Sequence, residues 1–315
     1  MSETSSAPSS ERLTVAMTML YLVIVIISWG TNYPLMKLAM QDMPPLTFSA
    51  VRLFGGAIVV TVVLLACGAR RLLPPSNELI GLAGIGILQF ASVLGLAGIA
   101  LLVLPASRTV TAIYSMPLWA ALFDILLLRS RLAPIQIGGV VVSLSGLLLF
   151  LDPSVVDWTA PGVALGTALA LTAAMLWGLG AVLYRARRWS APLLSQTLWQ
   201  LLTAGVTITV MACIFESSTP VHFSTRLWII LLWNWLVPTA LAVWAWSKVL
   251  NRLPASMAGQ FLMCTPFVGI AASAWLFEEN LPPVFAGSAV LIAVGGMMVL
   301  IRRSRPANGN SNDSN

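Results

Sequence analysis

Charge is what this sequence has least of. Of its 315 residues only 9% are Asp, Glu, Lys or Arg, whereas 58% are hydrophobic and the mean hydropathy is +0.89. A water-soluble chain carries about 25% charged residues to clothe its surface, so a soluble globular protein is excluded and the bilayer is the solvent. Histidine occurs once, at His222, and cysteine three times, at Cys67, Cys213 and Cys264, in or at the ends of three different apolar runs. That spacing supplies neither a metal-ligand set nor a disulfide framework, and no cofactor is implied. There is no H-E-x-x-H, no G-x-S-x-G, no pair of intramembrane aspartates and no G-x-x-x-x-G-K-[ST], so the parts of an intramembrane enzyme and of ATP hydrolysis are missing. The first apolar run is not followed by an A-x-A site, which argues against a cleaved signal peptide. Nor do aromatic and basic residues interleave as they do in a nucleic-acid groove.

What is present is apolar length. A bilayer core takes about 20 residues per helix, and ten such runs fall at residues 15–36, 47–67, 79–102, 106–128, 134–151, 162–184, 192–215, 226–250, 256–277 and 284–301. The runs are continuous rather than alternating, which excludes a membrane barrel. The sequence therefore predicts an all-α polytopic membrane protein of ten transmembrane helices. Residues 1–14 and 303–315 are left as short tails, expected to be disordered, and no segment is large enough for a soluble domain. With both ends in the cytoplasm, 13 of the 17 basic residues, from Arg12 to Arg305, fall on the cytoplasmic side. Lys37 and Arg226 alone fall in outer connections, and Arg52 and Arg108 lie within spans near the outer edge. Basic loops are retained inside, so this orientation in a cell membrane is the expected one, with the bilayer as the protein's main surroundings and no obligate protein partner announced.

The chain also repeats itself. Leu104-Pro105-Ala106-Ser107 recurs as Leu253-Pro254-Ala255-Ser256, and the same offset of 149 residues superposes Pro117 on Pro266, Leu132 on Leu281, Pro134 on Pro283, Gly138 on Gly287 and Gly146 on Gly295. With one residue less, Trp29-Gly30 and Lys37 match Trp177-Gly178 and Arg185. The halves are then 15–151 and 162–302, joined by an outer linker at 152–161. An odd number of spans per half turns the second half upside down. Arg129 and Arg131 after the fourth span accordingly face Glu278 and Glu279 after the ninth, each set on the side the basic-inside rule requires. Inverted repeats of this kind are a transporter architecture, because two similar halves can rock about a central site.

Two five-helix halves, Trp-Gly in the first helix of each, and the Pro-Ala-Ser, Pro and Gly-x7-Gly run through the fourth and fifth resemble the drug/metabolite transporter superfamily, and within it the ten-helix EamA-type exporters. The resemblance covers about residues 15–302, and its most specific part is Pro254 to Gly296, including Glu278. The first half departs from the pattern in having Arg129 where an acidic residue is usual. The resemblance implies export of amino acids or other small metabolites, and a weaker similarity points to the YddG-type aromatic amino-acid exporters.

Polar and aromatic residues deep in a span usually face a cavity or another helix. Asn32 and Tyr33 precede Pro34, which removes a backbone donor and lets the first span bend. Tyr114 and Ser115 next to Pro117 correspond by repeat to Met263 and Cys264 next to Pro266. Gln89, Ser92 and Gln260 add neutral hydrogen-bonding groups, and Trp177 belongs to the second Trp-Gly pair. In span eight, Trp235 and Trp246 form one stripe and Trp233 and Trp244 another on the opposite side, and only one stripe can line a cavity. The candidate lining is therefore Asn32, Tyr33, Gln89, Ser92, Tyr114, Ser115, Trp177, Trp235, Gln260 and Met263, suited to an amphiphilic small molecule. Pro34, Pro105, Pro117, Pro238, Pro254 and Pro266 are the candidate hinges. No titratable residue falls near the predicted midplane: Asp124 lies at an inner edge, where it reads as a cap near Arg129. Lys37 and Arg52 are placed to attract a carboxylate at the outer mouth. A facilitative exporter fits this pattern; the alternatives are a proton-coupled exporter of hydrophobic or cationic drugs, a channel, and, with fewest parts present, an intramembrane enzyme.

Overall fold

The computed structural model describes residues 7–68, 72–129, 131–152, 156–250, 252–253 and 255–301. Among them are ten helical spans and no strand. Five are single helices: α2 (Pro45–Ala66), α5 (Pro134–Phe150), α6 (Val163–Ala186), α7 (Leu193–Phe215) and α10 (Pro283–Leu300). Three are broken into two pieces: α1 (Ala7–Gly30 and Asn32–Ala39), α4 (Ala106–Ile113 and Met116–Leu128) and α9 (Ala255–Leu262 and Thr265–Phe277). The remaining two contain a wide π turn: α3 (Ser76–Leu101, π at Ile87–Ala91) and α8 (Thr225–Leu250, π at Trp235–Leu241). Nine of these helices are long and apolar enough to cross a bilayer, and α5, at 17 residues, is the short one. Helix α1 begins at Ala7, so the part of the expected N-terminal tail from residue 7 onward is helical. Pro8 stands in its first turn, where a proline needs no helical partner, and no proline or glycine between Ser9 and Trp29 stops the helix propagating outward from the apolar run. The expected tail at 303–315 and the hinge candidate Pro254 lie outside the described residues.

The irregularities obey the repeat. The breaks at Tyr114-Ser115 and Met263-Cys264 are related by the offset of 149 residues, and so are Gln89 and Pro238 in the two π turns. Pro117 and Pro266 follow the breaks. Neither can donate to the carbonyl four residues back, which frees the Ile113 and Leu262 oxygens from the helical ladder. Arg129 and Glu278, again equivalent, end α4 and α9 in the left-handed conformation, with φ of 49° and 52°, and among the described residues no other non-glycine does so.

Helix pairing follows the same pseudo-twofold logic. α5 packs along α10 and α2 along α7, while α3 lies on α6 as α8 lies on α1. Close approach in a bilayer needs small residues, because there is no apolar driving force between helices. The Trp-Gly pairs provide it. A Cβ on Gly178 would stand 2.8 Å from the Ala120 nitrogen of α4, and one on the equivalent Gly30 would stand 2.9 Å from the Thr265 oxygen of α9. In the α5–α10 pair, Cβ atoms on Gly139 and Gly146 would come within 2.7 Å and 2.8 Å of the facing backbone. Gly146 of the Gly-x7-Gly run makes this approach, whereas Gly287 of the equivalent run has only a side chain at 3.9 Å.

Candidate functional site

Five of the residues singled out in the sequence come together at the centre. Tyr33 of α1, Tyr114 of α4, Met263 of α9, Trp177 of α6 and Trp235 of α8 belong to one apolar cluster that also contains Phe48 of α2 and Val110 and Ile113 of α4. They form a closed core rather than an open cavity: Tyr33, Tyr114 and Met263 are 6%, 7% and 3% exposed. Trp177 meets Phe90 edge-on at 5.9 Å. Between the two tryptophan stripes of α8 the structure chooses plainly. Trp235 and Trp246 face inward, the latter 6.0 Å from Trp29, while Trp233 and Trp244 are on the outer surface.

Other expected groups are already occupied. The Ser92 hydroxyl donates to the Leu88 carbonyl, and the Ser115 hydroxyl donates to the Ala112 carbonyl while accepting from Trp119 Nε1. Both serve the irregular helix turns in which they sit. Gln89 lays its side chain against Gly180 of α6, and Gln260 is partly buried on the first piece of α9. Pro238 lies inside the π turn of α8, and its carbonyl accepts from Trp29 Nε1 at 3.1 Å, tying that turn to α1. Pro34 is buried in the second piece of α1, and Pro105 precedes α4.

The two charges expected at an outer mouth, Lys37 and Arg52, both lie within helices. Lys37 is not in a connection, because α1 continues to Ala39. Its ammonium donates to the Leu104 carbonyl at 2.7 Å and sits 5.5 Å over the Phe277 ring. Arg52, one third of the way along α2, lies inside the bundle beside Tyr33, with Nη1 sealed from solvent and without a hydrogen-bond partner. Asn32 Oδ1, Asn234 Oδ1 and Trp235 Nε1 are likewise buried and unpaired. Gly55, one turn along from Arg52, lies directly under the Trp235 indole nitrogen. Val51 and Gly55 also line an apolar cavity of about 820 Å³ between α2, α7 and Trp235. Asp124 pairs with Arg185 of α6 at 2.6 Å and not with Arg129 as its position in sequence suggests.

The end of the bundle away from the start of α1, here called the far face, is tightly clasped. Glu279 accepts the first two N–H groups of α4, from Ala106 at 2.9 Å and Ser107 at 3.2 Å. Glu216 accepts those of Leu46 and Thr47 at the start of α2, at 2.9 and 2.7 Å. Each carboxylate meets donors that a helix start leaves without partners. Asp42 accepts from Arg226 and from the Ser224 hydroxyl, at 2.7 and 2.8 Å. The first piece of α4 packs on the second piece of α9 here, while the repeat-equivalent pairing at the opposite face has no comparable contact among the described residues. The conformer is thus closed at the far face. None of the carboxylate clasps was found in the sequence reading, which singled out Glu278; its neighbour Glu279 makes the bonds.

Arg226 and Ser224 hold the Asp42 carboxyl below the usual carboxylate range. Because the folded value is depressed, the stabilisation is complete above the ordinary value of about 4 and is lost as the pH falls through the lower folded value. Thermal unfolding of the Arg226→Gln variant should therefore lie below that of wild type from pH 8 to 5. The gap should close in the acid range below pH 4, and a gap constant across that range would remove the clasp from the account.

Ten helices, with breaks that the sequence repeat pairs around a central core, are the architecture of a membrane transporter. The family model of the EamA-like transporter family matches the chain twice, over residues 16–151 and 164–301. The chain belongs to this family and is an integral membrane transporter, not an enzyme. It is 25% identical over 287 residues to the uncharacterized transporter YoaV of Bacillus subtilis, covering 91% of this chain and 98% of that one. It is 27% identical over 289 residues to the probable amino-acid metabolite efflux pump of Escherichia coli, covering 87% of this chain and 91% of that one. A crystal structure with 21% sequence identity superposes with a TM-score of 0.64 over 90% of this chain and 96% of the other, which supports the fold.

Proposed function

We propose that the protein exports neutral amino acids, with aromatic and other apolar side chains favoured, by facilitated alternating access. Its two halves, 15–151 and 162–302, rock about the core of Tyr33, Tyr114, Trp177, Trp235 and Met263. The observation that carries this reading is the aromatic core itself, gathered from both halves at the paired helix breaks and edged by unpaired neutral polar groups. Such a lining suits an apolar side chain held by packing and a few oriented hydrogen bonds. The name of the efflux pump relatives agrees with the substrate class. The basic residues argue that the face carrying the chain ends is cytoplasmic, so the clasped far face is the outer one and the conformer faces inward. Asp124, the carboxylate nearest the inner end of a core helix, is engaged by Arg185, which leaves the core without a proton carrier.

Uptake of labelled phenylalanine, tryptophan and methionine into proteoliposomes is expected to saturate and to be independent of an imposed pH gradient. Strict dependence on the gradient, together with loss of uptake in Asp124→Asn, would replace this reading with proton-coupled export.

A further inference from the structure

We infer that Arg52 is the anchor for a carboxylate on the transported molecule, with the indole N–H of Trp235 as the second donor. The inference rests on the substrate reading above and deepens it. A guanidinium on a membrane helix ordinarily reaches the interface or pairs with an acid. Arg52 has no acid partner, and although the residue is only partly buried its Nη1 is sealed from solvent and without a hydrogen-bond partner. Three carboxylates of the far half of the bundle are committed elsewhere, Asp42 to Arg226, Glu216 to the start of α2 and Glu279 to the start of α4.

The surroundings complete a receptor for a zwitterion. Trp235 Nε1 lies over Gly55, one turn along α2 from Arg52, and is a second donor without a partner on this stretch of the helix. Tyr33 stands within electrostatic reach of Arg52. Asn32 and Asn234, the sequence neighbours of Tyr33 and Trp235, each hold an unpaired buried amide oxygen, and amide oxygens are acceptors for an ammonium group. The largely apolar cavity bordered by Val51, Gly55 and Trp235, which opens at the bundle surface past Ile58 and reaches Glu216, leaves room for a side chain along the same stretch of α2. A purely cationic molecule would bring a second positive charge to Arg52, so the site selects against it.

The test uses purified full-length protein with three probes: phenylalanine, phenylalaninamide and 3-phenylpropionate. In proteoliposomes, Arg52→Gln is expected to raise the KM for phenylalanine about tenfold or more, the loss of one charge-assisted pair. Arg52→Lys should retain part of the affinity. Removing a partly buried guanidinium that has no acid partner relieves part of a folding cost, so Arg52→Gln should unfold at or above the wild-type temperature, a result no misfolding defect gives. Phenylalanine and 3-phenylpropionate, but not the amide, should raise the unfolding temperature of wild type and leave Arg52→Gln unmoved. An Arg52→Gln variant with wild-type KM, or an amide that competes as well as the acid, overturns the anchor while leaving amino-acid export intact. Should phenylalanine fail and 3-phenylpropionate stabilise wild type through Arg52, the substrate reading falls and the anchor stands. If neither acid is felt by the protein, the anchor is wrong.

Discussion

Gly178→Ala is expected to lower the unfolding temperature sharply, although the change adds a single methyl group. Its Cβ would stand 2.8 Å from the Ala120 nitrogen, 3.0 Å from the Trp119 Cβ and 3.1 Å from the Met116 oxygen. Two of these three atoms are backbone, so no side chain can swing away to make room. Relief requires α6 and α4 to separate, and α6 also carries α3 along its length. Overpacking of this kind costs about 1–3 kcal/mol where the surroundings can shift, and a rigid helix crossing belongs at the upper end. Gly30→Ala should behave alike, with Val268 Cβ at 2.7 Å and the Thr265 oxygen at 2.9 Å on the equivalent crossing of α1 and α9. Gly84→Ala is the control. Nothing lies within 4 Å of its Cβ position in α3, and alanine is the better helix former by about 1 kcal/mol, so stability should be unchanged or higher. Thermal unfolding in detergent reads all three, and a Gly178→Ala protein that melts with wild type would refute the crossing.

How much of this was legible in the sequence depends on the direction along which information travels. The repeat was legible because it is written residue by residue: Leu104-Pro105-Ala106-Ser107 against Leu253-Pro254-Ala255-Ser256 fixed the offset that the helix breaks at Tyr114 and Met263 then obey. Arg129 and Glu278 share a left-handed backbone despite opposite charge, because the position demands a helix stop while the membrane side sets the sign. Lateral position was not legible. Periodicity gives the depth of Arg52 along α2 but not which neighbour it meets, so a residue near the outer edge by depth lies inside the bundle by azimuth. The same limit left both stripes of α8 open until Trp246 was found against Trp29. The clasps were missed for a related reason. Glu279 and Glu216 bond to backbone N–H groups of helices 169 to 173 residues away in sequence, and such donors have no residue type to recognise.

Glu279→Ala is expected to open the far face, and with it to change the state in which the protein rests. The carboxylate holds the start of α4 to the end of α9 through two N–H groups, while Lys37 holds α1 to the Leu104 carbonyl just before α4. At the opposite face the equivalent stretch, Arg129-Ser130-Arg131, contains no carboxylate, so the repeat cannot build the same clasp there. The difference biases the two-state equilibrium toward closure at the far face. A net loss of about 3 kcal/mol for two charge-assisted hydrogen bonds shifts the ratio of the states about a hundredfold. Glu279→Gln, which keeps an acceptor for one N–H, should fall between. The shift can be read by placing a single cysteine at Ala106, which is fully buried, after replacing Cys67, Cys213 and Cys264 by serine. A membrane-impermeant maleimide should label Ala106→Cys slowly in the parent and at least tenfold faster with Glu279→Ala. Transport should fall in the same variant, because a carrier that cannot close one side releases its site to that side and returns slowly. Labelling that ignores residue 279 would mean that packing of α4 on α9 closes the gate unaided, and Lys37→Ala would then be silent as well.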